Sequence, residues 1–456
     1  MEEDTGYPLV LRRPNDTFFL LENSSPFYKQ QPTGVVTAEK FLALVIAVAA
    51  RLPDINHCIN VCECRFTFIV TFCAIIYRGQ TNVLPPNLSD ETLESLRTKH
   101  DAYVISDKGN ANAVDLLIDG SWVQALDEQV GFTDNLSPEI AGNHPAAICY
   151  TSGSTGAAKP ILKTWETFFL SNQINSRAYL QGLPTPLNIM ATVSSRHMWG
   201  LETTLLLPLH YDVTVTEGHP LFPADVRNKL ESLPAPRLLV STPTHLKALS
   251  QLQTRLPKIM RTLSATAPLN TEIAQQIEAL TEGDVIEIYG CSEMGSMAWR
   301  RTVEASTWTL FDGFELSQDI ETKNTTASAA HIPEPSILGD IIECEDGGHF
   351  HIRGRNEDLV NIAGKRGSLA ELNALLNTCT GVVDGVIFEP GDHAKTDRLC
   401  ALVVLNDKGS KDTVIRFLRD HLDPVFIPRP IITVDAVPRN ENGKTSIKVL
   451  REIMTD

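Results

Sequence analysis

The feature that most restricts the fold is an alternation of apolar segments of two lengths between Thr37 and Tyr289. Two of them, Phe41–Ala50 and Phe66–Tyr77, are long enough for helices. The shorter ones have the length of strands: Ala102–Ser106, Ala146–Thr151, Ile189–Val193, Arg237–Ser241 and Val285–Tyr289. Because this alternation is typical of helices packed on the faces of a sheet, it predicts a layered α/β domain.

The pattern changes further along the chain. Between Thr302 and Pro335 it weakens into polar, Ser/Thr-rich sequence, and Asp346-Gly347-Gly348 then predicts the turn of a hairpin in a small β-rich part. Beyond Arg355 the apolar segments outline a compact α+β module of about 100 residues. Its predicted elements are helices Leu369–Leu376 and Thr413–His421 and strands Val382–Glu389, Leu399–Leu405 and Ile431–Val434. We therefore expect two domains, residues 1–355 and 356–456.

Charge and hydropathy exclude several classes of protein. A net charge of −17 over 456 residues leaves no overall basic surface for nucleic acid. The longest apolar runs fall well short of the ~20 residues that cross a bilayer, and no signal-peptide pattern is visible, so we expect no membrane span. Nine irregularly spaced cysteines suit a reducing compartment and predict a cytoplasmic protein. The run with His57, Cys58, Cys62 and Cys64 lacks the paired spacing of a zinc site.

The most specific motif is a loop of glycine and hydroxyl residues directly after the strand predicted at Ala146–Cys149. It reads Tyr150-Thr151-Ser152-Gly153-Ser154-Thr155-Gly156-Ala157-Ala158-Lys159-Pro160. Its glycines allow a tight turn, its hydroxyls supply donors and Lys159 adds a positive charge, so the loop can wrap phosphate oxygens. The spacing is not that of a Walker loop. Such a composition is more often a solvated linker, but the flanking strand and the lysine favour a phosphate site.

On this loop the chain resembles the adenylate-forming enzymes, which include acyl- and aryl-CoA synthetases and the adenylation domains of peptide synthetases. The resemblance covers nearly the whole chain from about residue 41 and implies a large α/β domain with a small mobile C-terminal lid. It also implies an enzyme that uses ATP and Mg²⁺. In that family the loop holds the β- and γ-phosphates of ATP, a role that falls here on Thr151, Ser152, Gly153, Ser154, Thr155, Gly156 and the catalytic candidate Lys159.

A second segment, Tyr289-Gly290-Cys291-Ser292-Glu293, resembles the family's Y-G-x-T-E sequence with serine in place of threonine. The resemblance implies that Tyr289 and Gly290 contact the nucleotide and that the Ser292 hydroxyl meets the α-phosphate. It also implies that Glu293 holds Mg²⁺, a cation that favours carboxylate and phosphate oxygens. Taken without the resemblance, a glutamate on a loop is usually only solvated.

Asp340 lies fifteen positions before Arg355, a separation that resembles the family's ribose-binding Asp and the Arg at the edge of its hinge. An Asp suits ribose because one carboxylate can accept hydrogen bonds from two hydroxyls. The following Asn356-Glu357-Asp358 corresponds to the hinge, with Asp358 as pivot.

Two segments of the C-terminal domain complete the resemblance. Gly364-Lys365-Arg366 corresponds to the segment that approaches the arm of the thiol acceptor. Pro438-Arg439-Asn440-Glu441-Asn442-Gly443-Lys444 corresponds to the segment whose lysine bridges the carboxylate and the α-phosphate, which implies a catalytic role for Lys444. The chain departs from the family at Asn361, where many acyl-CoA synthetases have lysine, and at Ile447, where arginine is usual.

Two further segments resemble the family's acyl pocket. Ser195-Arg196-His197-Met198-Trp199-Gly200 resembles the H-x-x-G element and places His197 and Trp199 at the pocket, although a lone histidine is as often a structural residue. The small residues Ala265, Thr266 and Ala267 correspond to the segment that packs against adenine and the acyl group. No Asp occurs from Ile189 to Gly200, which disfavours an α-amino acid substrate.

Two segments of this compact chain resemble the ligases of aryl polyene and xanthomonadin pigment pathways: Arg196-His197-Met198-Trp199-Gly200-Leu201-Glu202 and Asp358-Leu359-Val360-Asn361-Ile362-Ala363-Gly364-Lys365-Arg366. The resemblance implies that an aryl acid such as a hydroxybenzoate is adenylated and passed to the phosphopantetheine of an acyl carrier protein, which acts in trans. Residues 356–456 carry a formal charge of −2, which suits an acidic carrier better than the remainder of the chain does.

Three other functions stay open at this point. A stand-alone aryl-CoA ligase would differ only in using CoA as acceptor, and a fatty-acyl-CoA ligase would differ in the depth of its pocket. An inactive adenylate-binding or scaffolding protein is the third. The retained residues of the pattern argue against that third function: Lys159, Glu293, Asp340, Arg355 and Lys444.

Overall fold

The computed structural model describes most of the chain, and the described residues belong to two compact units. They are residues 5–22, 34–108, 114–118, 137–150, 159–252, 254–322, 324–355, 359–362, 365–390, 398–439 and 447–453. One unit comprises Met1–Phe314 and Ser328–Glu334, and the other comprises Glu315–Ala327 and Pro335–Asp456. Asp358 lies outside the described residues, so the hinge and the domain boundary beside it stay predictions.

The first unit is a layered α/β domain, as the alternation of apolar segments predicts. Its strands are β1 (Gly6–Pro8), β2 (Thr17–Leu20), β3 (Val35–Thr37), β4 (His57–Asn60), β5 (Thr81–Leu84), β6 (Ala102–Ser106), β7 (Leu116–Leu117), β8 (Glu139–Ala141), β9 (Pro145–Tyr150), β10 (Pro160–Thr164), β11 (Leu187–Ala191), β12 (Val213–Thr216), β13 (Arg237–Ser241), β14 (Arg261–Ser264), β15 (Asp284–Cys291), β16 (Gly295–Arg300) and β17 (Trp308–Leu310). Its helices are α1 (Ala38–Ala49), α2 (Arg65–Tyr77), α3 (Asp90–His100), α4 (Trp165–Leu180), α5 (Met198–Leu201), a π-helical turn (Glu202–Leu206), α6 (Leu207–His210), α7 (Pro223–Ser232), α8 (Pro243–Leu249) and α9 (Thr271–Thr281).

The second unit is an α+β module built largely of hairpins. Strands β18 (Phe314–Gln318) and β19 (Thr325–Ala329) lie in the stretch where the chain passes from one unit to the other. The strands that follow are β20 (Ser336–Ile337), β21 (Asp340–Glu345), β22 (His349–Arg355), β23 (Leu359–Ile362), β24 (Lys365–Ser368), β25 (Val382–Phe388), β26 (Cys400–Leu405) and β27 (Ile431–Thr433). The helices are α10 (Leu369–Leu376), α11 (Lys411–His421), a 3₁₀ turn (Pro424–Phe426) and α12 (Ile447–Ile453).

Two mostly parallel sheets organise the first unit. The first has the order β10-β9-β5-β4-β6-β7, with β10 the antiparallel edge strand. The second sheet has, within this unit, the strand order β17-β16-β15-β14-β13-β11-β12-β2-β3. Its strands from β15 to β2 are parallel. At one end β16 pairs antiparallel with both β15 and β17, and at the other end β3 pairs antiparallel with β2. Parallel strands place their carboxyl ends at one edge, which is where ligands bind in sheets of this kind.

Helix α2 is covered by protein on every side. All of its residues except Tyr77 are buried, and Arg65 at its first position is the only charged residue in it. A helix that is apolar all round belongs in the interior of a protein. The Arg65 guanidinium donates hydrogen bonds to the carbonyl oxygens of Ala191 (3.1 Å), Val193 (2.7 Å) and Thr216 (3.3 Å). Burial lowers the pKa of Arg65 to about 10, so it is still a cation at neutral pH.

The core of the second unit follows the predicted pattern. Helix α10 has the predicted bounds and begins where Ser368 accepts a hydrogen bond from the backbone N–H of Glu371. It packs on β25, while α11 buries Val414 and Leu418 in the same apolar cluster. No helix in the described ranges is both long and apolar enough to cross a membrane.

The Arg65→Ala variant tests how much the fold depends on this buried cation. We expect the free energy of unfolding to fall by about 3 kcal/mol, because three buried carbonyl groups lose a charged donor. Urea unfolding followed by tryptophan fluorescence measures the change. The control is Arg177→Ala, which removes an exposed ion pair with Asp312 and is expected to cost less than about 0.5 kcal/mol. Equal effects of the two variants would contradict the assigned role of Arg65.

Candidate functional site

Strands β9 and β10 close the base of the hydroxyl-rich loop. They are antiparallel, with Pro160 opposite Tyr150 and Ile161 opposite Cys149, so the two ends of the loop are neighbours. Lys159 is exposed at the end of the loop. The other predicted loop residues lie outside the described residues, and their grip on phosphate stays a prediction: Thr151, Ser152, Gly153, Ser154, Thr155 and Gly156.

The second motif forms the tip of a hairpin between β15 and β16. Cys291 pairs with Gly295, so the turn is Ser292-Glu293-Met294, and its serine and glutamate are half-buried. A Cβ atom at Gly290 would lie 2.1 Å from the carbonyl oxygen of Gly295, so a side chain at that position would force the hairpin apart. The tight backbone explains why glycine occupies this position of the motif.

Lys163 joins the two motifs. It lies on β10, the strand that leaves the hydroxyl-rich loop, and its ammonium donates a hydrogen bond to the main-chain carbonyl oxygen of Glu293. The side chain is buried, which lowers the pKa of Lys163, and the nearby carboxyl groups of Glu202 and Glu293 oppose that shift. One buried cation thus connects the loop strand with the turn that carries the predicted magnesium ligand.

Glu202 contacts strand β16 just after the same turn. Its carboxylate accepts hydrogen bonds from the backbone N–H of Ser296 (3.0 Å) and from the Ser296 hydroxyl (2.5 Å). Gly295 has a φ of +75°, and a Cβ there would lie 2.6 Å from a carboxylate oxygen of Glu202. Burial raises the pKa of Glu202, while the Ser296 donors and the charge of Lys163 oppose the rise.

His197 and Trp199 stand at the carboxyl edge of the second sheet. His197 is the residue before helix α5, which follows β11, and a Cβ at Gly200 would lie 1.9 Å from the carbonyl oxygen of Ser194. The Trp199 side chain is buried and its indole N–H donates to the carbonyl oxygen of Ser241, the last residue of β13, at 3.1 Å. The helix is therefore packed tightly on the strand ends, and a role of either side chain at an acyl pocket stays a prediction.

The segment Ala265, Thr266 and Ala267 follows β14 at the same edge. Thr266 has a φ of +86°, a left-handed conformation that a β-branched residue rarely adopts. Strain of this kind is often found at binding sites, where the surrounding structure holds it in place. Strand β15, the neighbour of β14, carries Tyr289, whose half-buried ring lies against Trp308 with 5.6 Å between centroids.

In the second unit, a hairpin explains the spacing of Asp340 and Arg355. Strands β21 and β22 are antiparallel, and Asp340 pairs with Arg355 at the open end of this predicted hairpin. Strands β23 and β24 pair Asn361 with Arg366 and Ile362 with Lys365. Asp358, Gly364 and Lys444 lie outside the described residues, so their roles stay predictions.

The sequence reasoning did not identify Lys163 or Glu202, although each carries a signal. Strand β10 buries Lys163 and leaves Leu162 57% exposed, the inverse of the usual polarity. Glu202 is the one charged residue in the apolar run Gly200–Leu209. A carboxylate in such a run is buried at a cost unless partners compensate it.

Two protein-family models match the chain. A family model described as AMP-binding enzyme matches residues 41–347, which is more than half of the chain. A second model, described as AMP-binding enzyme C-terminal domain, matches residues 371–444. The two matched ranges cover the hydroxyl-rich loop, the β15–β16 hairpin and the segment that ends at Lys444.

The chain is also similar to individual relatives. A 4-coumarate–CoA ligase of Rhodobacter capsulatus is 28% identical over 257 residues, which are 56% of this chain and 63% of that protein. Bacitracin synthase 3 of Bacillus licheniformis is 24% identical over 371 residues, which are 70% of this chain and 6% of that protein. The chain thus spans less than two thirds of the length of these relatives.

Solved structures share the fold. ATP-bound MatB from Rhodopseudomonas palustris has a TM-score of 0.79 at 21% identity, with 98% of this chain and 97% of that chain covered. O-succinylbenzoate coenzyme A synthetase from Bacillus subtilis in complex with AMP has a TM-score of 0.79 at 17% identity, with 99% of each chain covered. The same large α/β and small C-terminal domains recur in these proteins. The fold, the order of the motifs and the family models together show that this chain belongs to the AMP-binding enzyme family.

Proposed function

We propose that the protein activates a carboxylic acid with ATP and transfers the acyl group to a thiol. The observation that carries the proposal is the buried link between the two motifs. Lys163 ties the strand that leaves the hydroxyl-rich loop to the turn of Ser292 and Glu293. A loop suited to phosphate and a carboxylate suited to a divalent cation therefore belong to one connected framework, which is what a triphosphate with a bound metal requires.

The side chains of the turn fit Mg²⁺ that arrives with a nucleotide. Glu293 is half-buried at the tip of the hairpin, and the described ranges contain no group of three or more His, Cys, Asp or Glu residues that could hold a metal by themselves. Mg²⁺ is commonly bound through one or two carboxylates together with substrate phosphates. Glu293 would hold the ion, and when bound it supplies charge neutralisation to the phosphates.

Each predicted site residue has its own role in the proposed reaction. The hydroxyl-rich loop with Lys159 holds the β- and γ-phosphates, and Ser292 donates to the α-phosphate. Asp340 accepts from the ribose hydroxyls. Lys444 orients the carboxylate against the α-phosphorus, so that two anions meet in line.

Two displacements complete the reaction. A carboxylate oxygen attacks the α-phosphorus, the bond to the bridging oxygen breaks and pyrophosphate leaves with that electron pair. A thiol that has lost its proton then attacks the acyl carbon, and AMP leaves with the electrons of the acyl–oxygen bond. The small domain rotates between the two steps in this proposal, about the hinge at Asp358.

An aryl acid such as a hydroxybenzoate is the proposed substrate. Small side chains at Ala265, Thr266 and Ala267 leave room for a flat ring, and two bacterial relatives bear the name 4-coumarate–CoA ligase. We further propose a place in aryl polyene-type pigment synthesis, where such a starter acid is passed on as a thioester. A fatty acid would require a deeper pocket than a ring does.

The proposed acceptor is the phosphopantetheine of an acyl carrier protein. In the second unit, α11 and the segment after the 3₁₀ turn line a groove of about 360 Å³. Three exposed cations surround its apolar floor: Lys411, Arg419 and Arg429. Charge complementarity favours an acidic partner as the occupant, and an acidic carrier protein would meet this requirement.

Glu293→Gln tests the metal role. We expect kcat/KM for Mg·ATP to fall roughly 100-fold, because the amide binds Mg²⁺ poorly, and the thermal midpoint to stay unchanged. Acid-dependent pyrophosphate release at a series of Mg²⁺ concentrations measures the effect. Glu231→Gln, an exposed carboxylate on α7, is the matched control. Undiminished turnover at limiting Mg²⁺ would remove Glu293 from the site.

Lys444→Ala separates the two half-reactions. We expect pyrophosphate release to fall roughly 1000-fold, while a supplied acyl-adenylate still reacts with the thiol at the wild-type rate. Rapid-quench assays of each half-reaction measure the two rates, and Lys408→Ala serves as control. Equal loss of both half-reactions would contradict the role of Lys444, and no pyrophosphate release from any acid would favour an inactive binding protein.

Arg419→Glu tests the acceptor. We expect the KM for the carrier protein to rise about tenfold through like-charge repulsion, while turnover with CoA does not change. Thioester formation with both acceptors from the same adenylate measures the effect. Arg416→Glu alters α11 outside the groove and is the control. Turnover with CoA alone would favour the stand-alone CoA ligase.

A further inference from the structure

Two buried side chains of opposite charge hold the β15–β16 turn, and the reaction proposed above uses neither of them. Lys163 and Glu202 are each only 4% exposed. They come from different elements, β10 and the π-helical turn after α5. Burial of a charge is costly unless partners compensate it, so two such groups beside one turn call for an explanation.

Lys163 holds the middle residue of the turn. Its ammonium donates to the carbonyl oxygen of Glu293, the residue whose side chain is the predicted magnesium ligand. The bond goes to the main chain, so it sets the position of the backbone from which the Glu293 carboxylate extends. Because β10 follows the hydroxyl-rich loop, the same bond also sets the distance between the turn and that loop strand.

Glu202 holds the strand that follows the turn. Its carboxylate accepts from both the N–H and the hydroxyl of Ser296 and lies against Gly295, where no Cβ atom fits. A π-helical turn carries this residue, and such irregular turns are frequent at functional sites. Side chains from outside the hairpin thus hold both the middle of the three-residue turn and the strand that follows it.

The two charges also balance each other. Each lies in the electrostatic field of the other, and their attraction offsets part of the cost of burying them. Loss of one therefore leaves the other buried without its counter-charge. A hydrophobic pair would fill the same space, but it would provide neither the donor for Glu293 nor the acceptor for Ser296.

We propose that Lys163 and Glu202 are positioning residues that orient Glu293 toward the metal ion of the bound nucleotide. The inference rests on the proposed function, since it gives Glu293 the magnesium role. Residues that orient a metal ligand typically contribute 10- to 100-fold to metal affinity, roughly, without touching the metal. A turn held in place also loses less conformational freedom when the nucleotide binds.

The test compares ATP binding with and without Mg²⁺ in the full chain, by calorimetry. For Lys163→Met we expect the Mg²⁺-dependent gain in ATP affinity to fall roughly 10- to 100-fold, while affinity for metal-free ATP is retained. Lys229→Met is the matched control, because Lys229 is also largely buried and pairs with Glu22 at another place in the first unit. It is expected to lower the thermal midpoint without changing the Mg²⁺ dependence.

Glu202→Gln gives a second, isosteric variant that removes the charge and keeps an acceptor for Ser296. We expect a smaller loss of the Mg²⁺-dependent gain, and in the double variant Lys163→Met with Glu202→Gln a loss of stability below the sum of the single losses. If Lys163→Met does not fold, Glu202→Gln alone tests the positioning role by the same comparison of ATP binding with and without Mg²⁺.

The outcomes distinguish a failure of the proposed function from a failure of the positioning role. If the wild-type protein binds neither ATP nor AMP, the proposed function fails. If the wild type shows Mg²⁺-dependent binding and both variants keep it in full, the positioning role fails while the function stands. A parallel loss of metal-free and metal-bound affinity would show a merely structural role and would also overturn the inference.

Discussion

The first unit is built around helix α2, all of whose residues except Tyr77 are buried. Helix α2 is apolar on every side, and its only charge, Arg65, is satisfied by carbonyl groups of the second sheet. Two of these carbonyls belong to Ala191 and Val193, at the end of β11. The chain leaves that strand for His197 and helix α5, so the contact that anchors the buried helix also anchors the start of the predicted pocket segment.

The predicted ligands of the site are all anions, whereas the chain carries a net charge of −17. Within the described ranges, the first unit places one exposed cation, Lys159, at the base of the hydroxyl-rich loop and one buried cation, Lys163, four residues later. The two lysines differ in what surrounds them. Water screens the exposed Lys159, whereas Lys163 is satisfied inside the protein and holds the backbone of the turn.

Sequence patterns predicted those parts of the fold in which apolar residues recur at the spacing of a helix or a strand. Helices α2 and α10, the strands β9 and β15 that precede the two motifs, and the β21–β22 hairpin correspond to predicted segments. Strands β17, β18 and β19 were not predicted, because Thr302–Pro335 is polar and Ser/Thr-rich. Strands that expose much of their side-chain surface leave little apolar alternation in the sequence.

The motifs identified the residues of the candidate site, whereas the residues that hold them were missed for a physical reason. Sequence alone does not distinguish a charged residue at the surface from one that tertiary contacts bury, and both Lys163 and Glu202 are buried by such contacts. The geometry of the turn also explains why lysine suits position 163. Its ammonium donates to the carbonyl oxygen of Glu293 and not to the carboxylate, the group to which the proposed function assigns the metal ion. Glu202 supplies a counter-charge to Lys163, whereas a direct ion pair between Lys163 and the Glu293 carboxylate would compete with a metal ion for the same oxygens.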